Sequence, residues 1–236
     1  MVQHAADGGI GHFEGWLAEH GVEVVVARPY LGEGTLDTAG FDGVIVLGGA
    51  MGALDDDAAP WLPDVRKMMA GAAESGPPLL GVCLGAQLLA AACDGRVARA
   101  ADVPGADAEI GVVEVRLDAG DDPLLGALPA TLPATQWHVD MVAEPPPGAV
   151  PLARSAACPY QAFRVGGHAW GLQFHPEVTR TAFDTWNRSG RDALTSRGLT
   201  PDGLLAGYDA RTAELHTAAR TIAHAFATIV TTAAPR

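Results

Sequence analysis

Residues 79–89 read LLGVCLGAQLL, an apolar run whose centre carries Gly81, Cys83 and Gly85. A cysteine with glycine two positions before and two after it suits a sharp turn from a buried strand into a helix. Larger side chains at those flanking positions would collide with the turn that thrusts the nucleophile out of the sheet. The thiol then sits at a helix N-terminus, where unpaired N–H groups favour the thiolate, the reactive form. A thiolate that opens an acyl bond needs a base, and the base needs a group to orient it. The segment 170–178, WGLQFHPEV, offers both: His175 and Glu177 are two residues apart, and an extended chain sends alternate side chains to the same side. Pro176 fixes its own φ and keeps His175 out of the helical region. Developing negative charge on the acyl oxygen also needs donors. The backbone N–H of Leu84, just after the thiol, is one candidate. The second is expected within Leu47-Gly48-Gly49-Ala50-Met51-Gly52, where glycines let the backbone approach a ligand.

The elements that must hold these residues alternate along the first hundred positions. Phe13, Trp16 and Leu17 share a helical face that ends at Gly21, and VEVVVA (22–27) reads as a strand. VIVL (44–47) predicts a second, buried strand; residues 61–73 predict a helix entered through prolines; LLGV (79–82) predicts a strand that runs straight into the helix 84–93. Strand and helix alternating through short connections indicate a parallel sheet covered on both faces. From residue 110 the pattern changes. IGVVEVRL (110–117), 161–165 and 168–174 partly alternate between polar and apolar, which predicts antiparallel strands added beside the parallel ones. Residues 181–230 are alanine-rich and helical, with a break near Arg197-Gly198 and Pro201. One α/β domain over residues 1–236 with a C-terminal helical tail is the expectation.

Composition narrows the partners. The 236 residues carry 15 Lys and Arg against 28 Asp and Glu, a net charge of −13, with no concentrated basic patch. Such a chain repels phosphate backbones and anionic headgroups, so neither nucleic acid nor a membrane surface is an expected partner. Three cysteines, Cys83, Cys93 and Cys158, form no disulfide framework, and the N-terminus lacks the basic and apolar runs of a secretory signal; the reading is cytoplasmic. Asp55-Asp56-Asp57 reads as a solvated loop or helix-start charge, so no metal and no cofactor is expected. Asp121-Asp122-Pro123 reads as a helix start.

In order and spacing, VIVLGGAMG, LLGVCLGAQLLA, QWHVDMV and CPYQAFRVGGHAWGLQFHPEV resemble the class I (triad, Cys-His-Glu) glutamine amidotransferases. Among these the chain is most similar to stand-alone members related to the amidotransferase half of GMP synthase. The resemblance implies a flavodoxin-like α/β fold: an open, mostly parallel sheet with helices on both faces, added antiparallel strands and a helical tail. It implies Cys83 as the nucleophile forming a γ-glutamyl thioester, His175 as general base and acid, and Glu177 as its orienter. The oxyanion donors would be the N–H groups of Gly49 and Leu84. Gln87 would contact substrate glutamine, and the backbone around Met51, Trp137, His138 and Val139 would hold its α-amino and α-carboxylate groups. Two departures fall at this pocket: Ala50 stands where many members have proline, and Val139 where glycine is common.

Three functions compete at this level. The first is a glutaminase that hands ammonia to a separate synthetase, because the chain holds no G-x-x-x-x-G-K-[ST] nucleotide loop. The second is a self-sufficient hydrolase of γ-glutamyl amides or amines with the same thioester chemistry. The third is a redox sensor or scaffold built on the turn cysteine, which would have no use for an oriented base.

Overall fold

The structure is a computed structural model, described here for residues 1–33 and 37–233. The chain forms helix α1 (Phe13–Ala18), strand β1 (Val44–Val46), α2 (Leu62–Ser75), β2 (Leu79–Val82), α3 (Leu84–Ala92) and β3 (Arg96–Arg99). Then follow β4 (Glu109–Leu117), β5 (Thr131–His138), β6 (Asp140–Glu144), β7 (Val150–Arg154), β8 (Ala162–Val165) and β9 (Ala169–Leu172). Three helices, α4 (Arg180–Ser189), α5 (Arg191–Thr195) and α6 (Pro201–Thr232), complete the order.

Seven strands form one mixed sheet in the order β1-β2-β9-β8-β7-β4-β5, and β3 pairs with β6 in a separate two-stranded sheet. The pairs β1–β2 and β2–β9 are parallel, and the four pairs from β9 to β5 are antiparallel. Val2 extends the parallel side through single parallel bridges to Val46 and Ala27. The stretch 22–27 is therefore less regular than its apolar run predicts: only Ala27 pairs, and Val25 lies exposed. Asp121-Asp122-Pro123 opens a run of turns instead of a helix. There the buried Asp122 accepts from the N–H groups of Leu124 and Leu125 and from Trp170 Nε1–H.

Burial explains why the central strands are apolar on both faces. Val44, Val46 and Leu79 pack with Leu62, Val65 and Met69 of α2 and Leu88 and Leu89 of α3. The alternate residues Ile45, Leu80 and Val82 pack with Phe13 and Leu17 of α1 and with Ile222 and Phe226 of α6. This is the period-two partition of a strand covered on two sides. Helix α6 starts where Thr200 Oγ1 accepts from Gly203 N–H, and its buried residues recur at three- and four-residue spacing from Leu215 to Val230. Helix α4 has the same kind of start, with Thr179 Oγ1 accepting from Ala182 N–H. Among the described residues no helix is long and apolar enough to cross a membrane.

Two glycines let α3 press against the sheet. A Cβ on Gly85 would lie 2.0 Å from the Val46 carbonyl oxygen, and one on Gly81 would lie 2.5 Å from the Gly85 oxygen. Both obstacles are backbone and cannot swing aside. Gly85→Ala is therefore expected to destabilise the fold by about 1–3 kcal/mol, the usual cost of forced overpacking. A denaturant titration reads this as a lower midpoint; an unchanged midpoint would mean that the first turn of α3 has room to move.

Candidate active site

Cys83 separates β2 from α3 with φ 51° and ψ −106°. A non-glycine residue at positive φ is strained, and such strain persists only where the surroundings impose it. Here its N–H donates to the Leu172 carbonyl at 2.7 Å, and its own carbonyl accepts from Gln87 N–H at 3.1 Å, which fixes the turn from both sides. The thiol stands at the start of α3, where the first N–H groups have no intrahelical acceptor.

The chain leaving β9 brings the other chemistry to this point. His175 N–H donates to the Thr135 carbonyl at 2.8 Å, and Glu177 Oε1 lies 2.8 Å from His175 Nδ1. Glu177 is held in turn by the N-terminal loop, because its carbonyl accepts from His12 N–H at 2.9 Å. A Cβ on Gly11, at φ 56°, would fall 2.0 Å from that same carbonyl oxygen, so only glycine allows this approach. Cys83, His175 and Glu177 are all buried. Burial by itself pushes the imidazole pKa down. The neighbouring Glu177 carboxylate and the Cys83 sulfur, which is also a hydrogen-bond partner of the ring, outweigh it and hold His175 up at about 10. Trp186 packs edge-on against the His175 ring at 4.9 Å between centroids, and its Nε1–H donates to the Asp7 carbonyl at 3.3 Å.

Gly48 and Gly49 line the opposite side. A Cβ on Gly48 would sit 3.0 Å from His175 Cε1 and 3.5 Å from Cys83 Cβ, so glycine there lets thiol and imidazole meet over bare backbone. A Cβ on Gly49 would strike the Met51 sulfur at 2.7 Å and Leu84 Cδ2 at 2.8 Å, which places Met51 and Leu84 directly beside this loop. His4, packed below Gly49, remains uncharged at neutral pH: burial pushes it down to about 4, and Trp61 Nε1–H donates to its Nδ1. A cavity of about 310 Å³ opens on Cys83, with Gly49, Trp137, His175, Glu177 and Trp186 among its walls.

The remaining sequence candidates do not line that cavity. Met51 lies behind Gly49, and the side chains of Gln87 and His138 are turned to other partners. Gln87 Nε2–H donates to the Asp140 carbonyl at 2.9 Å and to Gln173 Oε1 at 3.2 Å. His138 is hydrogen-bonded to the Asp140 carbonyl through Nδ1 and faces Glu109 Oε2 through Nε2 at 3.3 Å. Val139, half-buried between β5 and β6, has no positive φ, so this connection does not require the glycine common in the resemblance. Trp137 contributes a wall, while its Nε1–H is spent on Asn187 Oδ1 at 3.0 Å. Two contributors escaped the sequence reading: Trp186 as the packing partner of His175, and Gln173, whose Nε2–H donates to Cys83 Sγ at 3.6 Å. Gln173 carried a usable signal, since it precedes His175 by two residues and leaves the strand on the same side.

The ligand-type atoms of Glu109, His138 and Cys158 lie within 4.8 Å of one another, all buried. The Glu109 oxygens already accept from Ser155 Oγ–H at 2.7 Å and from Gln161 Nε2–H at 2.5 Å, and burial pushes the Cys158 thiol up to about 12. Glu109 is thus the hub of a buried hydrogen-bonded network with His138, Ser155 and Gln161. Asp55 caps Gly52 N–H and Asp56 pairs with Arg66, which accounts for two of the three acidic residues at 55–57.

Residues 16–187 match the family model of class-I glutamine amidotransferases. The chain belongs to that family. Among its relatives, the GMP synthase of Thermomicrobium roseum is 42% identical over 139 residues, covering 59% of this chain and 24% of the relative. A glutamine-hydrolysing GMP synthase subunit of Thermococcus kodakarensis is 42% identical over 110 residues, covering 46% of this chain and 55% of the relative. The amidotransferase thus matches about a quarter of the first and about half of the second. Solved structures match it over nearly full length. A glutamine amidotransferase from Thermotoga maritima has a TM-score of 0.84 at 26% identity, covering 96% of each chain. One from Methylobacillus flagellatus also has 0.84, at 27% identity, covering 97% of this chain and 93% of the other.

Proposed function

We propose that this amidotransferase, acting as one domain over residues 1–236, hydrolyses the γ-amide of glutamine through a γ-glutamyl thioester on Cys83. The observation that carries the reading is the meeting of three features at one point. These are a strained cysteine at a helix start, an imidazole raised to about 10 by its carboxylate and the sulfur, and a glycine loop that bares its backbone beside both. The sulfur attacks the amide carbon, and the carbonyl electrons move onto oxygen, held by the N–H groups of Gly49 and Leu84. His175 gives its proton to the nitrogen, the C–N bond breaks and ammonia leaves. A water then loses a proton to His175 and attacks the thioester; the C–S bond breaks, and glutamate departs with the sulfur restored as thiolate. Glu177 holds the imidazole with Nε2 toward the sulfur throughout.

The ammonia goes to a separate synthetase. The relatives named as subunits of GMP synthase, rather than as the whole synthase, support this route. One observation favours a second substrate. The cavity of about 310 Å³ has both Trp137 and Trp186 among its walls, apolar room that suits the amine part of a substituted γ-glutamyl amide. A diazoketone analogue of glutamine tests the first step without a partner: mass spectrometry is expected to find the adduct on the Cys83 peptide. No adduct at any cysteine would reject the reading. Turnover of glutamine beside a panel of γ-glutamyl amides, with and without a candidate synthetase, then separates the two substrates.

A further inference from the structure

Cys83 receives a second contact besides His175, and its origin lies three groups away. The carbonyl of Asp140, at the head of β6, is a backbone acceptor that cannot donate. Gln87 must therefore present its nitrogen there, at 2.9 Å. The same nitrogen has a second hydrogen, which reaches Gln173 Oε1 at 3.2 Å. With its oxygen so committed, Gln173 turns its own NH2 to the sulfur, at 3.6 Å. The orientation of both amides thus follows from one carbonyl. Flipping either would set like groups against each other in a region where both side chains are almost fully buried.

We propose that Gln87 and Gln173 are positioning residues that form an amide relay from the Asp140 carbonyl to Cys83 Sγ, fixing the sulfur's direction and favouring its anionic form. The backbone supports this arrangement from both ends. Gln87 lies one helical turn beyond Cys83, and Gln173 is held by its N–H bond to the Gln161 carbonyl at 2.8 Å. Just past β9, the Gln173 amide and the His175 imidazole both reach the thiol, and the Glu177 carboxylate holds the imidazole from its far side. Phe174, between Gln173 and His175, turns into the core against α6. The relay engages both N–H groups of Gln87, so the direct contact with glutamine implied by its position in the family pattern would fall to its Oε1, an acceptor the relay does not use. The proposal rests on Cys83 as the nucleophile, and its test is read without any glutamine.

The test is the pH profile of Cys83 alkylation by iodoacetamide, followed on the Cys83 peptide so that Cys93 and Cys158 do not interfere. Gln173→Met removes the donor at nearly constant volume; at neutral pH it is expected to slow alkylation about tenfold and to move the profile to higher pH. Gln87→Met, which frees Gln173 to flip, is expected to act in the same direction by about threefold, and the double variant to be no slower than Gln173→Met alone. Gln173→Glu keeps the size and the contact with Gln87 but turns a carboxylate to the sulfur, so it should slow alkylation further. It also covers the case in which Gln173→Met does not fold. In glutamine turnover the Gln173 variants should lower kcat with KM within about twofold. Unchanged alkylation in a folded Gln173 variant overturns the relay. A Gln87→Met protein that alkylates like the wild type but has a raised KM overturns the role of Gln87 and returns it to substrate contact. Failure of the diazoketone adduct in the wild type, with the alkylation shifts intact, rejects the glutaminase reading and leaves the relay standing.

Discussion

Cys83→Ala is expected to reduce glutamine hydrolysis by about five to six orders of magnitude, the scale seen when the nucleophile of a catalytic triad is removed. The reason is the absence of a substitute. Ser189 borders the same cavity, but its hydroxyl donates to the Thr185 carbonyl at 2.9 Å and is exposed. Cys93 and Cys158 lie outside the cavity, and burial pushes both thiols up, Cys158 to about 12. Alanine keeps the strained turn, since φ 51° is no easier for it than for cysteine, and it leaves the Gln173 amide without its sulfur acceptor. The fold should therefore lose about 1–2 kcal/mol, far too little to explain the loss of rate. Steady-state ammonia release together with a denaturant titration reads both quantities. Residual activity above about 1% of the wild type would move the nucleophile elsewhere.

What the sequence made legible is what depends on near neighbours along the chain. The glycines at 81 and 85 announce a crowded turn because the atoms they avoid, at Gly85 and Val46, belong to the same turn and the adjoining strand. His175 and Glu177 could be paired because period two is a local property of an extended chain. Contacts closed over long separations are hidden. Gln173 reaches Cys83 across 90 positions, and Trp186 reaches the Asp7 carbonyl across 179. His138 illustrates the same limit: β4 and β5 pair in a register that sets Glu109 opposite it, so its ring is drawn into a buried network. The antiparallel half of the sheet was legible as alternation, but its strand order was not, since order depends on which edges meet. The segment 22–27 has strand-forming residues but only one paired position, at Ala27, and an apolar run alone cannot supply hydrogen bonds along its length.

Glu177→Gln is expected to cut kcat by about two to four orders of magnitude and to move the alkaline limb of the pH–rate profile to lower pH. The magnitude follows from geometry: an amide can turn either its oxygen or its NH2 toward Nδ1, so the ring loses the fixed orientation that keeps Nε2 on the sulfur. The direction follows from charge. Burial lowers the His175 pKa, while Glu177 and Cys83 raise it to about 10, the charge of the carboxylate being the largest single raising cause. Without that carboxylate desolvation regains ground, and the imidazolium that must protonate the departing nitrogen is lost at lower pH. Stability changes with the same sign. A histidine whose pKa is raised on folding stabilises the native state fully below its unfolded value of about 6.5, and that contribution disappears as pH rises through about 10. The difference in unfolding free energy between wild type and Glu177→Gln should therefore be largest in mildly acidic buffer and shrink toward pH 10. An alkaline limb that stays in place in the variant would show that Glu177 orients the ring without setting its charge.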